Sequence, residues 1–161
     1  MAATSIYDPR PLLYLDTSAL KRPFDVPGAP GDRVEQEQQA VAGILRRVTT
    51  GQARLLNSFW LVRENLADRD ALRPASADRI LQLAWACALQ TAAVDAFAER
   101  LVRLGVGAAD ALHVAVAQIG GATHFLSADD RLRRRLGRPF FLTLLTVFVA
   151  DPVALEKELG I

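Results

Sequence analysis

With 161 residues, 51% of them apolar and 23% charged, the chain has an ordinary globular composition, which excludes a disordered or low-complexity polypeptide. A formal charge of +1 removes any global electrostatic argument for nucleic acid, so a basic surface has to come from local placement of arginine. A single cysteine, Cys87, excludes an intramolecular disulfide, and no Cys or His cluster has zinc-ligand spacing.

Such a length is expected to form one domain, residues 1–161, with residues 1–11 as a short N-terminal extension. Met1 to Pro11 carries Asp8 and two prolines in place of a basic region and an apolar stretch, so no secretion signal is expected. A reducing, cytoplasmic location fits the cysteine content.

In chain order, Leu12 to Leu15 is a short apolar run ending in Asp16 and reads as the first strand. Pro23, Pro27, Gly28, Pro30 and Gly31 make a loop before a helix from Glu35 to Thr49, in which Val41, Ile44, Leu45 and Val48 recur near helical period. Gly51 stops that helix, and Arg54 to Asn57 forms a second strand feeding a helix that carries Glu64. Pro74 opens another helix, whose apolar face is expected to run from Ile80 through Leu83, Ala84, Trp85 and Ala88 to Leu89. Thr91 to Val94 is a weakly marked third strand, Asp95 to Leu104 a helix broken by Gly105 and Gly107, and Asp110 to Ile119 a helix ending at Gly120 and Gly121. Thr123 to Ser127 resumes as strand, and an Arg-rich segment from Arg131 to Arg138 follows. The apolar run from Phe140 to Ala150 is about half the roughly 20 residues that a membrane-spanning helix needs. It reads as buried strand, with the last strand at Leu144 to Val149 and a closing helix from Pro152 to Leu159. Strands separated by helices imply βαβ units and a parallel sheet covered on both faces.

Four acids fall where such a chain gathers them at one sheet edge: Asp16 and Asp129 just past strands, Glu64 and Asp110 near helix starts. In open parallel sheets, ligands bind beyond the carboxyl ends of the strands. Each acid alone has a plainer reading: Asp16 and Asp110 as helix caps, Glu64 as an exposed helix residue, Asp129 beside Asp130 as a turn. Four coincident placements are harder to explain that way. Carboxylates held within a few ångströms repel one another unless a cation sits among them, so the pattern points to a divalent-metal site. All-oxygen ligands favour Mg²⁺ or Mn²⁺, and the chemistry implied is hydrolysis of a phosphodiester.

From Leu12 to Leu155 the chain resembles PIN-domain ribonucleases and, within that group, the VapC-like toxins of bacterial type II toxin-antitoxin pairs. The resemblance rests on Leu13-Tyr14-Leu15-Asp16-Thr17-Ser18-Ala19-Leu20, on Ser58 leading to Glu64, on Gly107-Ala108-Ala109-Asp110-Ala111-Leu112-His113-Val114-Ala115, and on Phe125-Leu126-Ser127-Ala128-Asp129. The third motif is the most specific; in the fourth, the family commonly has Thr at the place of Ser127. The resemblance implies a three-layer α/β/α domain with a central parallel sheet of about five strands, whose acids bind Mg²⁺ or Mn²⁺ and cleave RNA. Carried over, Asp16, Glu64, Asp110 and Asp129 are the catalytic and metal-binding acids, Asp16 and Asp110 foremost as direct ligands. Ser18 and Ser127 match hydroxyl positions that hold a water or phosphate, and Asp130 stands as an alternative to Asp129. The implied partners are RNA, a cognate antitoxin and a second copy in a homodimer, with the apolar helices Val34 to Val48 and Ile80 to Leu89 as the pairing surface; no membrane is involved.

Arg131, Arg133, Arg134, Arg135 and Arg138, with Lys21 and Arg22, are candidates to grip phosphates or an acidic antitoxin tail, or else form a solvated face. His113, three positions after Asp110, is expected to point to a neighbouring patch and to be structural. Trp60, Trp85 and Cys87 are expected on apolar helical faces. The competing function is a PIN-like RNA-binding or regulatory module that does not cleave. A phosphate-transfer enzyme with Asp16 as nucleophile lacks the second Asp two residues on, where Ser18 stands.

Overall fold

The computed structural model describes residues 8–70 and 72–160; of the expected N-terminal extension, residues 1–7 lie outside the described residues. Strand β1, Leu12–Leu15, is the centre of the molecule: all four side chains are buried, as in a strand covered on both faces. It pairs in parallel with β2, Arg54–Ser58, on one side and with β4, His124–Leu126, on the other. Strand β3, Ala86–Ala88, extends the sheet beyond β2, and β5, Phe148–Ala150, beyond β4, so the order is β3-β2-β1-β4-β5 with every pairing parallel.

Nine α-helices among the described residues connect and cover the strands. They are α1 (Thr17–Lys21), α2 (Arg33–Thr49), α3 (Phe59–Ala67), α4 (Arg73–Leu81), α5 (Ala92–Arg103), α6 (Ala108–Ile119), α7 (Asp130–Leu136), α8 (Pro139–Leu144) and α9 (Pro152–Leu159), with a 3-10 turn at Arg22–Phe24. Helix α2 lies against α9, α5 against α6, and α3 against α4, giving the three-layer α/β/α architecture. Local chemistry sets most boundaries: Asp32 caps α2 by accepting from the Glu35 N–H at 2.9 Å, and Gly51, at φ +74°, turns the chain in the left-handed region where other residues are strained. No helix among the described residues is long and apolar enough to cross a membrane.

Three expectations are corrected. The third strand is Ala86–Ala88, paired with Leu56 to Ser58, and not Thr91 to Val94. Thr91 is instead the cap of α5, its hydroxyl accepting from the Val94 N–H at 3.2 Å, and Val94 is buried on the helix face. The helix opened by Pro74 ends at Leu81, not Leu89: the Trp85 N–H already bonds to the Leu55 carbonyl at 2.8 Å as the chain enters the sheet. Leu83, Trp85 and Leu89 are therefore exposed, Cys87 is exposed in β3, and Trp85 stacks on the Arg54 guanidinium. The run from Phe140 to Ala150 is not one strand, because Pro139 opens α8 and only Phe148–Ala150 joins β4.

Candidate functional site

Asp16 leaves the carboxyl end of β1 and caps α1: its Oδ1 accepts from the Ala19 N–H at 2.9 Å and from the Ser18 hydroxyl at 2.6 Å. Its own N–H bonds to the Leu126 carbonyl at 3.0 Å, fastening it to the end of β4. The residue is buried, which pushes its carboxyl above the ordinary aspartate range against the His113 field and hydrogen bonds from Ser127, Ser18 and Ala19. The cap and the site are thus compatible roles for one carboxylate.

The two serines tie this strand end to the next. Ser18 Oγ accepts from the Ala128 N–H at 2.9 Å and lies 3.3 Å from the buried Ser127 Oγ, which accepts from the Asp129 N–H at 3.0 Å. Asp129 in turn caps α7, accepting from the N–H groups of Arg131 and Leu132 at 2.8 and 3.2 Å. Asp130 faces another environment, accepting from both Arg33 and Arg133.

Asp110 stands in the first turn of α6, where the helix dipole favours an acid. Burial, then the charges of Asp129 and Asp16, push its carboxyl above the ordinary range; Glu64 adds to the rise and His113 opposes it. Asp110 therefore lies within the electrostatic reach of all three other candidate acids. Among the described residues it has neither a hydrogen-bond donor nor a cation of its own.

Glu64, in the second turn of α3, accepts through Oε2 from His113 Nε2 at 2.8 Å and from the Thr17 hydroxyl. Burial raises its carboxyl, but the His113 hydrogen bond and field, with Thr17 and Lys21, outweigh this and hold it below the ordinary range. His113 does not point to a separate patch: it is buried against Glu64, with Nδ1 2.8 Å from the Tyr14 hydroxyl. Trp60 is on a helix, as expected, and lies edge-on to the His113 ring.

Tyr14, Thr17, Ser58 and His113 are polar members of this edge that the acid pattern alone did not single out. The available signal was the lone tyrosine in an otherwise leucine strand and the serine at the β2-α3 junction, each next to a candidate acid or its helix.

The basic residues near the edge are largely committed. Lys21 is buried and bridges to Asp68 at 2.5 Å. Arg22 pairs with Asp25 at 2.8 Å and, by charge without an aligned hydrogen bond, with Glu37 at 2.8 Å. Arg33 reaches both Glu37, at 2.8 Å, and Asp130, while Arg73 pairs with Asp25 at 2.6 Å. These contacts link into one ladder of alternating charge: Arg133, Asp130, Arg33, Glu37, Arg22, Asp25, Arg73. In the Arg-rich segment, Arg133, Arg134 and Arg135 bond to backbone carbonyls of Ser127, Asp130 and Gly105, whereas Arg131 and Arg138 are exposed.

As the side chains stand, no three acidic, cysteine or histidine groups among the described residues converge closely enough to ligate one ion by themselves. An ion that keeps several waters and takes one or two carboxylates asks for less. Asp110, repelled by its neighbours and unpaired, and Asp16, buried beside it, form a donor set of that kind. The sequence model of the PIN domain matches residues 13–136. No curated protein matches the chain.

Proposed function

Because the chain belongs to the PIN-domain family, whose members are generally metal-dependent nucleases, we propose that it is a Mg²⁺- or Mn²⁺-dependent endoribonuclease formed as a single domain and acting as the toxin of a toxin-antitoxin pair. The observation that carries this reading is Asp110, a carboxylate within the electrostatic reach of three others and, among the described residues, without an ion-pair or hydrogen-bond partner. Asp16 and Asp110 hold the ion, with Glu64 and Asp129 completing the acidic site. A divalent ion there supplies positive charge against a phosphate and lowers the pKa of a water for in-line attack. Ser18 and Ser127 orient Asp16 and the Asp129 backbone through the bonds described above, and Asp129, not the arginine-paired Asp130, is the fourth acid.

Exposed Arg131 and Arg138 are available to RNA phosphates or to an acidic antitoxin segment. Of the surfaces expected to pair two copies, α2 turns Val41 and Ile44 into its own core, which leaves Leu83, Trp85 and Leu89 as the apolar surface for a homodimer. A cytoplasmic site of action goes with an RNA substrate.

The decisive experiment incubates purified protein, freed of copurifying partner, with total cellular RNA and Mn²⁺, with chelator and with Asp16→Asn and Asp110→Asn variants. Discrete cleavage that falls at least about 100-fold in each control is expected. Unchanged cleavage by both folded variants refutes the site. Metal binding without cleavage moves the chain to a non-cleaving RNA-binding module.

A further inference from the structure

Four buried or half-buried side chains from four elements form one hydrogen-bonded line ending on Glu64. The Leu61 N–H donates to Ser58 Oγ at 3.1 Å, Ser58 Oγ lies 3.0 Å from the Tyr14 hydroxyl, the Tyr14 hydroxyl lies 2.8 Å from His113 Nδ1, and His113 Nε2 lies 2.8 Å from Glu64 Oε2. For a neutral imidazole the directions are forced. A carboxylate only accepts, so Nε2 carries the hydrogen; Nδ1 then accepts from Tyr14 O–H, and Tyr14 accepts from Ser58 O–H. Tyr14 and Ser58 are fully buried, His113 is 3% exposed, and Tyr14 stacks on Phe125 while Trp60 closes over the ring edge.

A packing histidine needs none of this directionality. We propose that His113 is a positioning residue for Glu64: the line from Ser58 through Tyr14 holds the imidazole, and the imidazole holds Oε2, leaving Oε1 without a donor among the described residues. On the metal-nuclease reading, on which the consequence for metal affinity rests, Glu64 would be free to offer Oε1 to the ion. Loss of a partner that orients a ligand typically weakens metal binding 10- to 100-fold.

The test measures Mn²⁺ affinity by calorimetry on RNA-free protein for the wild type and for His113→Ala, His113→Gln, His113→Phe, Tyr14→Phe, Glu64→Ala and the His113→Ala/Glu64→Ala pair. His113→Ala is expected to weaken binding about 10-fold and to cost nothing further once Glu64 is gone. Gln, which keeps a donor near the Nε2 position, restores most of the affinity; Phe, which keeps the volume, does not. Tyr14→Phe gives a smaller loss through Glu64 alone. Equal losses with and without Glu64, restoration by Phe, or an unchanged His113→Ala overturns the proposal. A wild type that binds no Mn²⁺ refutes the metal-nuclease reading instead. The brace is then judged by melting temperatures of the same variants in chelator: non-additive His113→Ala and Glu64→Ala effects uphold it, and additive effects overturn it.

Discussion

Two sets of carboxylates share the rim above the carboxyl ends of the strands, and they stand in opposite surroundings. In the ladder from α7 to α4, Asp130, Glu37 and Asp25 each have two arginines within 4 Å. Among the acids around Asp16, Asp110 has none among the described residues, and the charges of Asp129 and Asp16 act on it most strongly. Neighbouring aspartates, Asp129 and Asp130, divide between the two sets: one caps a helix facing the acids, the other is gripped from both sides. A carboxylate with built-in counterions serves the fold; one denied them, at a cost to stability, is where a charge from outside would be most favourable.

That contrast predicts responses of opposite kind. The largest is to metal: Mn²⁺ at about a hundred times its dissociation constant should stabilise the protein by about 2.7 kcal/mol, a melting-point rise of about 5 to 10 °C for a chain of this size. Differential scanning calorimetry with and without chelator measures it, and Asp110→Asn should lose most of the rise. A rise unaffected by Asp110→Asn would put the ion elsewhere.

Next in size is Glu37→Gln, which removes the buried centre of the ladder and leaves Arg22 with Asp25 alone and Arg33 with Asp130 alone. About 2 kcal/mol of stability should be lost in urea unfolding, less than the roughly 3–5 of a fully buried pair because the Arg33 side chain is 50% exposed. Mn²⁺ affinity should stay unchanged; a fall would mean that the two regions are coupled.

The smallest effects differ in sign. In chelator, Asp110→Asn should raise stability by about 0.5 kcal/mol, discounted for the residue's partial exposure, because it deletes a charge that its neighbours repel. Asp130→Asn should lower stability. Asp130 is held below the ordinary carboxylate range chiefly by Arg33, and Asp68 by Lys21. A depressed folded pKa gives stability that is fully present above the unfolded value, about 3.9, and is lost as pH falls through the folded value. Chelated protein should therefore lose stability below about pH 4, and the Asp130→Asn variant should lose less of it. Parallel acid titrations of the two proteins would expose the error in this assignment.

Strands ending beside Asp16, Ser58 and Ser127, and helices opened by Pro74 or Pro152 and closed by Gly51 or Gly120, were legible because their determinants are local. Strand β3 was not: Ala86, Cys87 and Ala88 have little strand propensity of their own, and pairing with Leu56 to Ser58 decides their state. Thr91 and Val94 misled for the complementary reason, since β-branched residues also serve as a helix cap and a buried helix face. Asp16, Asp110 and Asp129 stood out because each follows a strand or stands at the start of a helix, a one-dimensional cue. The contact of His113 with Glu64 spans 49 positions, and that of Arg33 with Asp130 spans 97, and no periodicity reports on such pairs.

The placement of β1 between β2 and β4 also has a temporal meaning during synthesis. Leu13 to Leu15 pair with His124 to Leu126, and Asp16 is fastened to the Leu126 carbonyl. While the chain is still growing on the ribosome, Asp16 emerges before β4 and stays without Ser127 and Asp129 beside it until that strand has been made. A prematurely terminated fragment ending before β4 contains Asp16, Glu64 and Asp110 yet lacks Ser127, Asp129 and the strand to which Asp16 is fastened. The edge that gathers Ser18, Ser127 and Asp129 is complete only once β4 has paired with β1.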